Sequence, residues 1–570
     1  MALEALFWRV TGTIVGTVLG VAPQFVRGAN PMMSAAITTR VALMRSVWWW
    51  AVGLGCPYPY ERCRDLELHH TRRTLIRRMF LRLRERFARL RGFALRDESP
   101  RLSDESRWYT EHTALLISTL KWALLGVAAG LCVGLGTRVF LWALDRSGDW
   151  ARALANGRVP PFVFLPVALP ICVWIIRTFS PDARGHGTEA VIAAVHQRSG
   201  RVDWLVAPVK LSATVMTLAF GGSVGKEGPA AQIGAALTSL FADILRLRDE
   251  DRRRLVICGI SAGFAAVFGT PVSGALFGIE VLYLGRIDYT VIFPALVAGI
   301  VAHLVCGVRP PFPSFQEAFA DTHQTKTILI MLACGALFGL IALLLIESLR
   351  FFERTLRRFE RRPYLLSAAG GAALVCLYFA AGDRYAGLGT DTINGVLAGT
   401  TPVFAGAFLL KILATSITLE TGGSGGIVTP IFFVGATSGA ALAPLFGMPT
   451  TFLAAVGLVA MLAAAANTPI AAAVMAMELL PGPEGVYAAL AAATAFLMVG
   501  HRSVYASQKI GLSKSAGLEV ELGGAIGDVS RTSLRIRKGS LTERVHQFGR
   551  ASSSDTKAEP GGSTPPPAND

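Results

Sequence analysis

Two kinds of apolar segment alternate along this chain. Ala114 to Leu144, Thr327 to Leu349 and Leu365 to Ala381 are continuous and apolar, and each is long enough for a bilayer whose hydrocarbon core asks for about 20 residues of helix. Between them lie shorter apolar runs interrupted by Gly and Pro, a pattern that predicts helices beginning or stopping inside the membrane. Lipid offers no partner to an unpaired backbone group, so broken helices survive only inside protein or along a wet cavity. The pattern therefore predicts an all-α polytopic membrane protein containing a transport path. Three parts follow: an extension over residues 1–111, a membrane core over 112–508 and a tail over 509–570.

Composition strengthens the membrane reading, because 52% hydrophobic and 16% charged residues in a chain of 570 exceed what a soluble core needs. The net charge of +16 would suit nucleic acid. Its basic residues, however, concentrate beside apolar segments, from Arg62 to Arg101 and from Arg350 to Arg362, with no interleaved aromatic platform or zinc spacing. Lys and Arg accumulate in cytoplasmic loops, so both stretches are expected on the cytoplasmic side, facing anionic lipid rather than nucleic acid. A multi-pass protein of the cell membrane, the inner membrane in a bacterium, is the expectation.

The extension is the least legible part. Val10 to Val21 and Val41 to Leu54 suit the membrane interface, and Arg73 to Leu95 reads as a basic amphipathic helix on a membrane surface. The apolar start lacks the basic first residues and small-residue cleavage site of a signal peptide. The eight cysteines form no CxxC pair. Cys56 and Cys63 alone are close, and their cytoplasmic placement favours free thiols although the spacing also permits a disulfide. No HExxH pattern or acidic cluster calls for a metal, and no cofactor is expected. The Ser-, Pro- and Gly-rich tail, with little apolar surface to bury, is expected to be largely disordered.

The chain also repeats itself. KLSATVMTLAFGGSVGKEGP from Lys210 resembles KILATSITLETGGSGGIVTP from Lys411, an offset of 201 residues. GHGTEAVI from Gly185 pairs with GLGTDTIN from Gly387, and TPVSGALFGIE from Thr270 with TPIAAAVMAME from Thr468. A duplicated core places its substrate near the midplane, at the ends of discontinuous helices where the halves meet. In each glycine block the backbone can approach an ion closely, and Pro229 or Pro430 stands where a first helical turn begins. A helix N-terminus presents free N–H groups and a partial positive charge, so the path should select anions.

At these blocks the chain resembles the CLC family of chloride channels and chloride/proton exchangers, across essentially the whole membrane core. The resemblance rests on GHGTE at Gly185 to Glu189, GKEGP at Gly225 to Pro229 and GGIVTP at Gly425 to Pro430. It implies an inverted repeat of about eighteen broken and tilted helices, with a first half over about 112–307 and a second over about 326–508. It also implies a homodimer with one pore per subunit, chloride and similar small anions as cargo, and no enzymatic activity. Glu227 matches the gating glutamate. The implied anion site comprises Gly185, His186, Gly187, Gly225, Lys226, Glu227, Gly228, Gly426, Ile427, Val428 and the hydroxyl of Tyr505. An ionised Glu227 can occupy the anion position until protonation or a competing anion releases it.

Three departures from the family pattern shape the expected mechanism. His186 stands where a Ser is usual and Glu189 where a Pro is usual, which bears on selectivity among chloride, nitrate and fluoride. Val281 stands where proton-coupled members carry an internal glutamate, and it favours channel-type conduction over chloride/proton antiport. A fluoride exporter of the same superfamily is a further alternative. The cystathionine-synthase-like domain pair that many members append has no room in the tail. GGSVG and GGSGG fit a hydrolase GxSxG pattern, but neither follows a legible strand. Glu420 faces Ala219 at the repeat offset and has no assigned role.

Overall fold

Proline opens and glycine closes many of the helices. Pro271, Pro363 and Pro469 occupy first turns, where a missing N–H costs nothing, and Gly269, Gly307 and Gly447 follow last turns in the left-handed region. The computed structural model describes residues 104–154, 159–308, 324–480, 482, 484–528 and 534–544. The interfacial and amphipathic segments expected before residue 100, the Cys56 and Cys63 pair, and the last 26 residues lie outside the described residues.

Sixteen α-helices of eight residues or more lie among the described residues, in two series of eight. The first comprises α1 (Asp104–Leu154), α2 (Leu165–Phe179), α3 (Thr188–Gln197), α4 (Val206–Ala219), α5 (Glu227–Leu245), α6 (Asp249–Phe268), α7 (Pro271–Glu280) and α8 (Tyr289–Cys306). The second comprises α9 (Gln324–Leu356), α10 (Pro363–Ala381), α11 (Thr390–Leu397), α12 (Ala407–Glu420), α13 (Val428–Phe446), α14 (Thr450–Ala466), α15 (Pro469–Leu479) and α16 (Glu484–Met498). Among the described residues, six segments are long and apolar enough to span a membrane. Among them the Val428–Phe446 window is 78% buried, whereas the other five are 28% to 39% buried and present their apolar faces outward. The centre of the molecule is thus built from α5, α6, α13 and α14, and long helices such as α1 and α9 form a lipid-facing wall.

Reciprocal bonds relate the two series. Lys210 Nζ donates to the carbonyls of Ala183 and Gly185, and Lys411 Nζ to those of Tyr385 and Gly387. Ser223 N donates to Thr418 Oγ1, and Ser424 N to Thr217 Oγ1, each over 3.1 Å. Glu280 accepts from the amides of Ile470 and Ala471 at the start of α15, and Glu478 from those of Val272 and Ser273 at the start of α7. When contact i to j is matched by its repeat equivalents in exchanged roles, a two-fold relation joins the halves. Gly225 and Gly426 form an antiparallel bridge on that axis, so α5 and α13 leave the centre in opposite directions.

The ends of the core differ from expectation. α1 begins at Asp104, eight residues before the expected boundary. The segment after residue 508 does not open directly into a disordered tail. Lys509–Ile510 pairs in parallel with Tyr283–Leu284, and Leu284, Ile510 and Ile526 bury together. Three apolar side chains and a two-residue ladder suffice to hold this strand, a signal too short for composition to reveal.

Candidate functional site

The site forms where two glycine loops cross. Gly225 and Gly426 exchange N–H···O bonds of 2.6 Å in both directions, which brings the starts of α5 and α13 together. A third strand of backbone joins them: a Cβ on Gly187, whose φ is +82°, would stand 2.7 Å from the carbonyl oxygen of Gly228. A Cβ on Gly228 would collide with the carbonyl of His186 and approach Gly426 Cα to 3.0 Å. These positions need glycine because three backbones touch there.

Glu227, the first residue of α5, turns its carboxylate across the axis onto the N-terminus of α13. Thr429 donates its amide over 3.1 Å and its hydroxyl over 2.7 and 2.6 Å to the two carboxylate oxygens, and Glu227 is only 4% exposed. A negative group thus sits where the helix presents its partial positive charge. Just ahead of Thr429, the buried amides of Ile427 and Val428 donate no hydrogen bond among the described residues. Buried free amides are uncommon in a folded chain and suit an anion.

Other unpartnered polar atoms gather on the same side. His186 Nδ1, Thr188 Oγ1 and the Tyr505 hydroxyl are buried without a hydrogen-bond partner. Tyr505 is fully buried, and its hydroxyl lies beside the Thr188 side chain and within electrostatic reach of Glu189 and Glu227. Gly185, at φ +75°, gives its carbonyl to the buried ammonium of Lys210 over 2.5 Å, which fixes the loop ahead of His186. Lys226 stands at the N-cap position of α5 without a side-chain bond to the helix, and its ammonium acts electrostatically on Cys306 at the end of α8. The structure therefore brings together residues 185–188, 225, 227, 228, 426–428 and 505, and leaves the Lys226 side chain apart.

A cavity of about 460 Å³ adjoins the cluster, reaching from Arg350 of α9 and Arg357 just beyond its end to His186, Glu189 and Ser503. Its lining carries three arginines, Arg184, Arg350 and Arg357, and four glutamates, Glu189, Glu353, Glu360 and Glu420. Val281 lies apart from it, 0% exposed in the apolar core, with its carbonyl engaged by Gln508 Nε2 over 3.1 Å. Glu280 next to it spends both oxygens on the start of α15.

Sequence reasoning missed Thr429, Thr188 and the anchoring role of Lys210 and Lys411. The lysines were visible as the paired first residues of the repeat blocks, and Thr429 as the hydroxyl residue of the GGIVTP turn; only the crossing of the halves shows what they hold.

The sequence profile described as voltage gated chloride channel matches residues 167–500. The chain belongs to the voltage-gated chloride channel family. It is 38% identical over 421 residues to the "Chloride/fluoride channel protein" of Pseudomonas syringae pv. tomato, covering 71% of this chain and 90% of that one. It is 27% identical over 382 residues to the "H(+)/Cl(-) exchange transporter ClcA" of Vibrio cholerae, covering 62% of this chain and 80% of the relative. Among solved structures, a CLC-type fluoride/proton antiporter superposes with a TM-score of 0.64 at 26% identity, over 69% of this chain and 98% of that one. A slow cyanobacterial Cl-/H+ antiporter, at 19% identity and a TM-score of 0.59 over 66% of this chain and 94% of that one, shares the fold. Anion transport across a membrane is the activity of this family, and the expected fold class stands.

Proposed function

We propose that the chain exchanges small halide anions for protons, with Glu227 alternating between occupant of the anion position and carrier of the proton. The observation that carries this reading is the Glu227 carboxylate held by Thr429 at the start of α13, in the place an anion would take. An anion and this carboxylate cannot share the site, so arrival of one requires departure of the other. Protonation removes the charge that ties Glu227 there, which couples the two ions through a single side chain. The relatives named as exchangers and as a fluoride/proton antiporter support coupling over the channel-type conduction that Val281 first suggested. Cargo would be chloride and fluoride. The unpartnered donors of His186, Thr188 and Tyr505, with the amides of Ile427 and Val428, supply hydrogen bonds that replace an anion's hydration.

Passive conduction is the second reading, and the apolar Val281 favours it, because an uncharged side chain there gives a proton no station. Purified protein in liposomes, given an anion gradient and a pH electrode, separates the two. Uphill proton movement driven by chloride or fluoride supports exchange, and anion flow without it establishes the channel.

A further inference from the structure

We propose that Glu189 is the inner proton station of this transporter, taking a proton from the cavity it lines and passing it by way of Tyr505 toward Glu227. This role deepens the exchanger reading and rests on it. A proton approaching from the cytoplasmic side needs an ionisable group or water along its way. The segment carrying Val281 provides neither, since that side chain is sealed in the core and the Glu280 carboxylate is committed to two amides.

Glu189 offers what that segment lacks. Its Oε1 is anchored by the amide of Ser507 over 2.8 Å and by the Ser507 hydroxyl over 2.5 Å. Its Oε2 is buried and has no partner. The same side chain lines the 460 Å³ cavity. One oxygen fixed and one free is an arrangement in which a carboxylate can gain and lose a proton without leaving its place. The fully buried Tyr505 hydroxyl, beside the Thr188 hydroxyl, lies within electrostatic reach of both Glu189 and Glu227. A tyrosine hydroxyl both donates and accepts, so it can relay a proton without holding charge.

The transfer is a proton movement alone. A hydronium in the cavity gives its proton to Glu189 Oε2 and leaves water. Glu189 then returns to carboxylate as its proton passes to the Tyr505 oxygen, directly or through water, while the hydroxyl proton of Tyr505 moves on to Glu227. Neutral Glu227 no longer competes with the anion at α13. The titratable and charged groups facing this route are His186 ahead of α3, Arg184 in its 3.0 Å pair with Glu360, Arg350 and Glu353 on α9, Arg357 just beyond its end, and Glu420 at the end of α12.

Proteoliposomes carrying wild type, Glu189→Gln and Glu189→Asp test the role, with proton uptake and anion flux recorded together. Gln can still accept from Ser507 but takes no proton, so Glu189→Gln should lose at least tenfold in anion-driven proton uptake while anion flux persists. Glu189→Asp, which keeps a titratable group, should retain measurable uptake. A proton-to-anion ratio in Glu189→Gln equal to wild type overturns the role alone. Wild type that moves no protons uphill overturns the exchanger reading, and the role falls with it. Should Glu189→Gln not fold, Glu189→Cys treated with a carboxylate-bearing thiol reagent, beside wild type under the same treatment, supplies the measurement. Coupling that returns only on modification supports the role, and coupling indifferent to modification overturns it.

Discussion

In the proposed exchange, the contact between Glu227 and Thr429 is the one on which gating turns. Three donor contacts from Thr429 converge on the Glu227 carboxylate, and a hydrogen bond to a charged group contributes about 1.5–3 kcal/mol. Thr429→Val removes the hydroxyl and leaves the amide. The carboxylate is then held less firmly, and anion flux at neutral pH should rise several-fold in a liposome efflux assay; flux equal to wild type would show that the hydroxyl is not part of the gate. Glu227→Gln goes further, because a neutral amide cannot act as a competing anion. We expect flux that no longer depends on external pH, together with complete loss of coupled proton movement, and a pH response matching wild type would assign gating elsewhere.

At the scale of elements, the starts of α5 and α13 are useful only because short loops hold them face to face. Lys210 and Lys411, both 0% exposed, brace those loops by donating to carbonyls two residues apart, Ala183 with Gly185 and Tyr385 with Gly387. Replacing either by Met strands two buried acceptors, each costing about 1–3 kcal/mol. Lys210→Met and Lys411→Met should therefore lower the apparent melting temperature in detergent by similar amounts, and a large effect at one with none at the other would break the two-fold account. Gly187→Ala is predicted to abolish transport, since its Cβ would meet the Gly228 carbonyl at 2.7 Å and its φ of +82° disfavours any side chain. Wild-type flux in that variant would mean the crossing can open without harm.

For the whole molecule, the two-fold relation within the chain completes one path, built from residues of both halves. A family resemblance that spans the core leads us to expect a dimer in which each subunit keeps its own path. If neither path borrows residues from the other subunit, mixed dimers with one Glu227→Gln subunit should retain about half of the wild-type proton coupling. Loss of all coupling in every mixed dimer would show that the paths depend on one another.

The sequence by itself determined the membrane class, the duplication and the anion-directed helix starts, because each is written locally: apolar length, a glycine block and a proline at a first turn. It also marked Glu227, through GKEGP. Tertiary structure alone decided which free groups face one another. Thr429 meets Glu227 from 202 residues away, and Ser507 anchors Glu189 from 318 residues away, separations no local pattern encodes. The importance of Val281 changed for the same reason. Its apolar side chain reads as a missing proton station when the chain is taken as a string. In the fold, Glu189 from the start of the distant helix α3 lines the cavity and lies within electrostatic reach of Tyr505. Short-range periodicity determines which helices form and where they break, while the packing of two inverted halves determines which buried donors and carboxylates share a site.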